Sequence, residues 1–299
     1  GKDICELAQL WAEAAWNDAN HFVATLADVD LERLGLRPLP TQLGQFVAHI
    51  LGNTTKSLQL QGTGSFAFMP HVAAQKACLI TKPVFASIYA QCIALLGNGG
   101  VLTGQESLLY TEQADTIIAM PRIGERLSAE VASPFKSSLH DIASVEAVIK
   151  QARQKAVIFV SQRFLHSKAG GDLDIRKQLI QNNLLDAVVI LPAGAHPVDA
   201  SIPLVMLVIN HGRTKQSPIQ FMDASVITPN ADLRYAVRRH KNAEELFWQR
   251  LIKEWSDLDS STVGRLITSK EIAANDYDLS ALHYIQPESA RTLSEITAK

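Results

Sequence analysis

A chain of 299 residues with 47% hydrophobic content can bury a large core, as one big domain or as one domain with helical additions. Its 28 basic and 30 acidic residues leave a net charge of −2, which excludes nucleic-acid binding by bulk electrostatics alone, so any DNA contact must be local or supplied by a partner. Cys5, Cys78 and Cys92 are too few and too badly spaced for a disulfide framework or a zinc site, and reduced thiols in the cytoplasm are the plain expectation. The N-terminus has no signal pattern, and the most apolar stretches, 184–195 and 202–209, fall short of the roughly 20 residues needed to span a bilayer, so no membrane role is expected.

In chain order, Ile4, Leu7, Leu10, Trp11, Ala14 and Ala15, then Phe22, Val23 and Leu26, recur at helical spacing and predict one or two amphipathic helices within an N-terminal segment, 1–40. Thr41 reads as the N-cap of a helix over 42–51. Residues 56–61 alternate weakly as a strand and run into Gly62-Thr63-Gly64-Ser65-Phe66-Ala67 and a further helix. A strand, a glycine turn and a helix form the usual cradle of a nucleotide-like cofactor, although tight turns also need glycine for positive φ alone. A second strand is expected over 76–83, a helix over 84–96 ending at Gly97-Asn98-Gly99-Gly100, and a turn at Gly104-Gln105-Glu106-Ser107-Leu108.

Ala114 to Gly124 reads as a buried strand, with Ile117, Ile118 and Ala119 as its apolar run, stopped by Pro121 and Gly124. Met120, Pro121, Arg122 and Ile123 therefore sit at a strand's carboxyl end, the edge where open α/β sheets bind ligands. A polar, flexible loop is expected over 122–137, then helices over 144–154 and 172–182, with Asp174, Arg176 and Lys177 on a solvated face. Strands over 156–161, 187–191, 202–210 and 219–222 complete an α/β domain, 41–225. A C-terminal helical extension, 226–299, holds a long helix or helix pair over 233–255. Along it, Arg234, Arg238, Arg239 and Lys241 form either a phosphate-contacting patch or a solvated face balanced by Glu244 and Glu245.

The strand and turn ending in Met120-Pro121-Arg122-Ile123 resemble the catalytic loop of adenine-specific DNA methyltransferases, an apolar strand followed by Asn-Pro-Pro-aromatic. The runs Ile175-Arg176-Lys177-Gln178-Leu179-Ile180, Ala187-Val188-Val189-Ile190-Leu191-Pro192, Ile202-Pro203-Leu204-Val205 and Phe221-Met222-Asp223-Ala224-Ser225 are similar to successive landmarks of the methylation subunits of type I restriction-modification systems. Asn275-Asp276-Tyr277-Asp278-Leu279 and His283-Tyr284-Ile285 match the segment that closes that family's catalytic domain.

The resemblance implies an α/β, Rossmann-like S-adenosylmethionine-dependent methyltransferase fold, a mainly parallel sheet with helices on both faces plus helical additions at both ends. It implies that Gly62, Thr63 and Gly64 face the cofactor, that Thr81 or Lys82 stands where an acid should accept the ribose hydroxyls, and that Gln105 or Glu106 stands where an acid contacts the cofactor's adenine amine. It also shows what is missing. Leu58 and Gln59 replace the Asp-Pro that opens the glycine turn, Met120 replaces the amide that accepts from the target amine, and Ile123 has no π face to stack on a flipped base.

The reading is a methyltransferase-like module of a DNA modification or defence system, catalytically inactive and acting in DNA or partner binding. S-adenosylmethionine binds only if the cleft still functions. The alternatives are an active adenine methyltransferase with altered motifs and a structural assembly subunit. In relatives, a target-recognition module or a separate specificity subunit follows the point where this chain ends, so the chain is expected to be a fragment or to depend on such a partner.

Overall fold

A computed structural model describes residues 39–52, 54–62, 64–80, 101–103, 107–132, 134–195, 202–214, 217–258 and 261–285. Helix α1 (Thr41–Leu51) leads into strands β1 (Thr54–Gln61) and β2 (Ala73–Ile80), followed by the short β3 (Val101–Thr103) and β4 (Ala114–Ala119). Helix α2 (His140–Gln151), β5 (Ala152–Ser161), α3 (Gly170–Gln181), β6 (Leu185–Leu191), β7 (Leu204–Asn210) and β8 (Ile219–Asp223) come next. Helices α4 (Leu233–Arg239) and α5 (Ala243–Ser256), strand β9 (Gly264–Ile267) and α6 (Ser269–Ala274) close the described chain.

Among the described residues the strands form a single nine-stranded sheet in the order β3-β2-β1-β4-β5-β7-β6-β8-β9. The pairings from β3 to β5 are all parallel. Strand β7 runs antiparallel between β5 and β6, β8 returns parallel to β6, and β9 closes the edge antiparallel. The expected α/β, mainly parallel, Rossmann-like architecture is therefore what the chain adopts. The segment beyond residue 225, read from sequence as helical, also supplies β9.

Both faces of the sheet are covered, which is why β4 to β7 read as near-continuous apolar runs rather than alternating ones. All six residues of β4 are buried. Ile118, Val157 and Phe159 face α1 and α5, where Phe46, Leu43 and Trp248 complete one core. Ile117, Ala119 and Ile158 face α2 and α3, where Ile142, Val145 and Ile175 complete the other. Phe46 and Trp255 meet edge to face at 5.3 Å between ring centroids, tying α1 to α5.

Four expectations change. The cap of α1 is the Pro40 position, with no side-chain hydrogen bond to the helix, and the Pro40 carbonyl accepts from Gly44 N at 3.1 Å, so Thr41 is already inside. The helix expected after the glycine turn is a 3₁₀ segment, Ser65–His71. Pro70 within it has no N–H to give to an α-helical ladder, and the chain must re-enter the sheet at Ala73. The loop expected over 122–137 is folded down, with Leu127, Val131 and Phe135 packed on Leu108, Ala143 and Ala147. Arg176, expected on a solvated face of α3, is 2% exposed. Its guanidinium donates to the carbonyls of Phe164, Ser167 and Tyr277 at 2.7, 2.8 and 2.8 Å. Burial pulls its pKa down, and Asp278 and Asp172 partly offset that. The helix pair expected over 233–255 is present as α4 and α5. The N-terminal helices and the helix expected over 84–96 lie outside the described residues.

Replacing Arg176 with Met keeps the bulk but takes the donor from three carbonyls, of which those of Phe164 and Ser167 are buried. Arg176→Met should cost roughly 3 kcal/mol or more, read as a lower urea midpoint at an unchanged denaturant slope.

Candidate active site

Strand β1 pairs parallel with β2 on one side and with β4 on the other, so the chain leaves β1 one way and arrives at β4 from the opposite way. In an open α/β sheet the crevice at such a reversal, beyond the carboxyl ends of the strands, is the place for a ligand. Here that edge is made by Gly62, Met120 and Ser161, following or ending β1, β4 and β5.

Gly62 has φ +86° and Gly64 φ +87°, both in the region that glycine tolerates best. Gly62 N donates to the Ile80 carbonyl at 2.9 Å, and its own carbonyl accepts from the Ser65 hydroxyl at 2.8 Å. A Cβ on Gly62 would lie 2.1 Å from the Met120 carbonyl oxygen. The glycine is thus required by the close approach of the neighbouring strand's end, as well as by its own backbone angle.

The loop after β4 continues this contact. Met120 N donates to the Gln61 carbonyl at 2.8 Å, extending the β1–β4 ladder by one residue. The Met120 side chain is 3% exposed and belongs to the core cluster that includes Leu60 and Phe159. Pro121 is buried, Ile123 half-buried, and Arg122 reaches Glu125 at 2.9 Å with both side chains about half exposed.

What holds the loop is a residue that the sequence reading did not single out. Asp141, in the first turn of α2, is fully buried, and its carboxylate accepts from Gly124 N at 3.3 Å and from Ser161 N and Oγ at 3.0 and 2.7 Å. One carboxylate thereby joins the loop, the start of α2 and the end of β5. The Glu125 carbonyl also accepts from His140 N at 2.8 Å. An acid in a first helical turn is an ordinary sequence feature, and nothing local announces its two distant partners.

A second unforeseen cluster lies beneath the glycine turn. Alternation along β1 puts Gln59 and Gln61 on the face opposite Leu58 and Leu60, and both amides are buried. The Gln61 amide donates to Gln59 Oε1 at 3.2 Å and to Gln151 Oε1 at 2.6 Å, and Gln151 in turn donates to the Tyr110 carbonyl. Leu58 and Gln59, which stand where the resemblance expects Asp-Pro, are therefore committed to a core and to an internal amide network.

Of the described carboxylates in and against this loop, Glu125 is about half exposed and paired with Arg122, and Asp141 is buried and accepts from three protein donors. Leu58 and Gln59, buried where the resemblance expects Asp-Pro, do not offer S-adenosylmethionine the carboxylate expected there. Thr63, Thr81, Gln105 and Glu106 lie outside the described residues.

The four basic residues are placed on and beside α4. Arg234 turns back on Asp232, donating from Nε and Nη2 at 3.1 and 2.9 Å, and that contact holds the Asp232 carboxyl below its usual range. Arg239 lies 4.5 Å over the Tyr235 ring, while Arg238 and Lys241 are exposed. The spacing of Arg234, Arg238 and Arg239 left open a phosphate-contacting patch or a solvated face; the structure brings Arg234 to a carboxylate and leaves Arg238, Arg239 and Lys241 exposed.

The strand order, with an antiparallel β7 inserted between β5 and β6 and a glycine turn at the β1–β4 reversal, defines a Rossmann-like fold of the methyltransferase type. The chain belongs to the N-6 DNA methylase family, which matches residues 105–292. A type I restriction enzyme methylase subunit from Methanocaldococcus jannaschii is 24% identical over 152 residues, covering 49% of this chain and 25% of the relative. The methyltransferase subunit of a type I restriction-modification system from Streptococcus thermophilus superposes with a TM-score of 0.63 at 17% identity, over 83% of this chain and 59% of that one. A structure described for complex assembly and conformational transition of the type I system gives 0.68 at 14% identity, over 93% of this chain and 67% of that one. The chain thus spans a quarter of the length of its curated relative and about three fifths of the first of these structures.

The Asp141 anchor can be tested apart from any activity. Asp141→Asn preserves shape but presents an amide N–H₂ to a site lined by donors. It should lower stability by about 1–3 kcal/mol and release the Gly124 and Ser161 amides to faster hydrogen exchange than the rest of β5. Unchanged protection at both amides would show that the loop is held by other contacts.

Proposed function

We propose that this chain is a methyltransferase-like module of a type I restriction-modification or related DNA-modification system, catalytically inactive, that acts by binding DNA or a partner protein. The observation that carries the reading is the fate of Met120. Transfer to adenine's exocyclic amine calls for a hydrogen-bond acceptor projecting from this position, and the side chain here is a thioether, a weak acceptor, buried in the core. Leu58 stands where the acid of the cofactor turn is expected, the exposed Glu125 carboxylate is paired with Arg122, and Ile123 offers no stacking surface.

Family membership and the likeness to type I methylation subunits support the setting. In that setting a specificity subunit or a target-recognition module supplies sequence readout, and local cations such as Arg238 and Lys241 are available for phosphate contact. No helix among the described residues is long and apolar enough to cross a membrane.

A second reading, an active adenine methyltransferase with altered motifs, draws on Gly62 and Gly64, which keep the positive φ of a cofactor turn. The close approach of the Met120 carbonyl accounts for Gly62 without a ligand.

Calorimetric titration of the folded protein with S-adenosylmethionine should give no heat up to about millimolar ligand, and labelled methyl groups should not enter adenine-containing duplex DNA above a blank. Micromolar binding together with methyl incorporation would establish the second reading instead.

A further inference from the structure

Helices α4 and α5 enclose a groove that none of the chemistry above uses. Its volume is about 520 Å³, and the segment 227–230 closes one side. The floor is apolar, built from Ile227, Pro229, Ala236 and Phe247. Each helix presents to it the same short pattern, a large apolar or aromatic side chain followed four residues later by arginine: Tyr235 and Arg239 on α4, Leu246 and Arg250 on α5. Residues four apart share a helix face, so the apolar groups line up beside the cations.

We propose that this groove docks an acidic, amphipathic helical segment of a partner protein. Charge complementarity favours this occupant. Arg239, His240 and Arg250 line the groove and no carboxylate does. Arg250 also lies 3.6 Å from Glu254, and its side chain keeps 51% of its surface exposed.

Exposure of the rim separates this occupant from two others. Leu246 is 59% exposed, a large apolar group that a helix laid along the groove would cover and a small molecule inside the cavity would not. A DNA backbone would use the arginines but gains nothing from an apolar floor. Trp248 and Leu251 of α5 are spent on the core, while Leu246 and Arg250 stay exposed on the groove side. The inference rests on the partner-binding part of the function proposed above and names its surface and chemistry.

The test uses the full chain and a fluorescein-labelled amphipathic helical peptide of about four turns, with leucines at i, i+4 and i+7 and flanking glutamates, read by anisotropy. An isomer with lysine for every glutamate is the control. The glutamate peptide should bind at about micromolar strength, and the double variant Arg239→Glu/Arg250→Glu should weaken it about tenfold or more while binding the lysine peptide in its place. Leu246→Asp, at an exposed position, should weaken the glutamate peptide similarly, with circular dichroism confirming that both variants stay folded. Failure of the glutamate peptide to bind, or equal binding of the two peptides, or indifference to the charge reversal, overturns the proposal. Displacement of the peptide by short duplex DNA, with the same loss in the double variant, would reassign the groove to nucleic acid. Methyl transfer and cofactor titration read a different part of the molecule, so either proposal can fail while the other stands.

Discussion

The contact on which the molecule depends is the backbone approach between β1 and β4. The two strands lie side by side and parallel, and the Met120 carbonyl sits where a Cβ on Gly62 would have to go. That contact keeps the two halves of the sheet in register at the point where the direction of winding reverses, and every other strand is added outward from it. Because the central pairings are parallel, each return of the chain needs a crossover; α2, which enters β5, covers one face, and α1 and α5, which flank the central strands in sequence, cover the other. The two apolar cores follow from this arrangement.

Scaffold and chemistry are separable in this chain. Asp141 holds the loop after β4 through a backbone N–H of that loop and through Ser161, so this anchor does not use the side chains at 120, 122 and 123. Arg176 works in the same way, joining the end of β5 to the segment at Tyr277 through carbonyl oxygens only. Anchors that bind backbone tolerate substitution in what they hold. Fold and chemistry are in this sense separate properties, and the fold alone does not fix the chemistry.

The charged residues of α4 show how little a linear pattern says about direction. Arg234 and Arg238 are four apart and share a face in a helical projection, yet Arg234 starts the helix beside Asp232 and takes it as a partner. Arg239, one residue on from Arg238, stacks on Tyr235 and borders the groove between the helices. Neighbouring arginines thus serve a helix terminus, open solvent and a groove wall.

The sequence by itself determined the fold class, most of the strands, and the place where function should reside. Apolar runs such as 187–191 and 204–209 can be buried only as central strands, and Pro121 and Gly124 stop β4 where its ladder ends. The residue types at Leu58, Met120 and Ile123, on which the proposed inactivity rests, are also visible in the sequence. Tertiary structure decided the rest. Asp141 meets Ser161 across 20 residues, Gln61 meets Gln151 across 90, and Arg176 meets Tyr277 across 101. None of these pairs has a local signature, since a buried polar side chain is indistinguishable in sequence from a solvated one until its partner is known. Periodicity assigned Arg176 to the surface for that reason, and the folded chain brought three carbonyls to it.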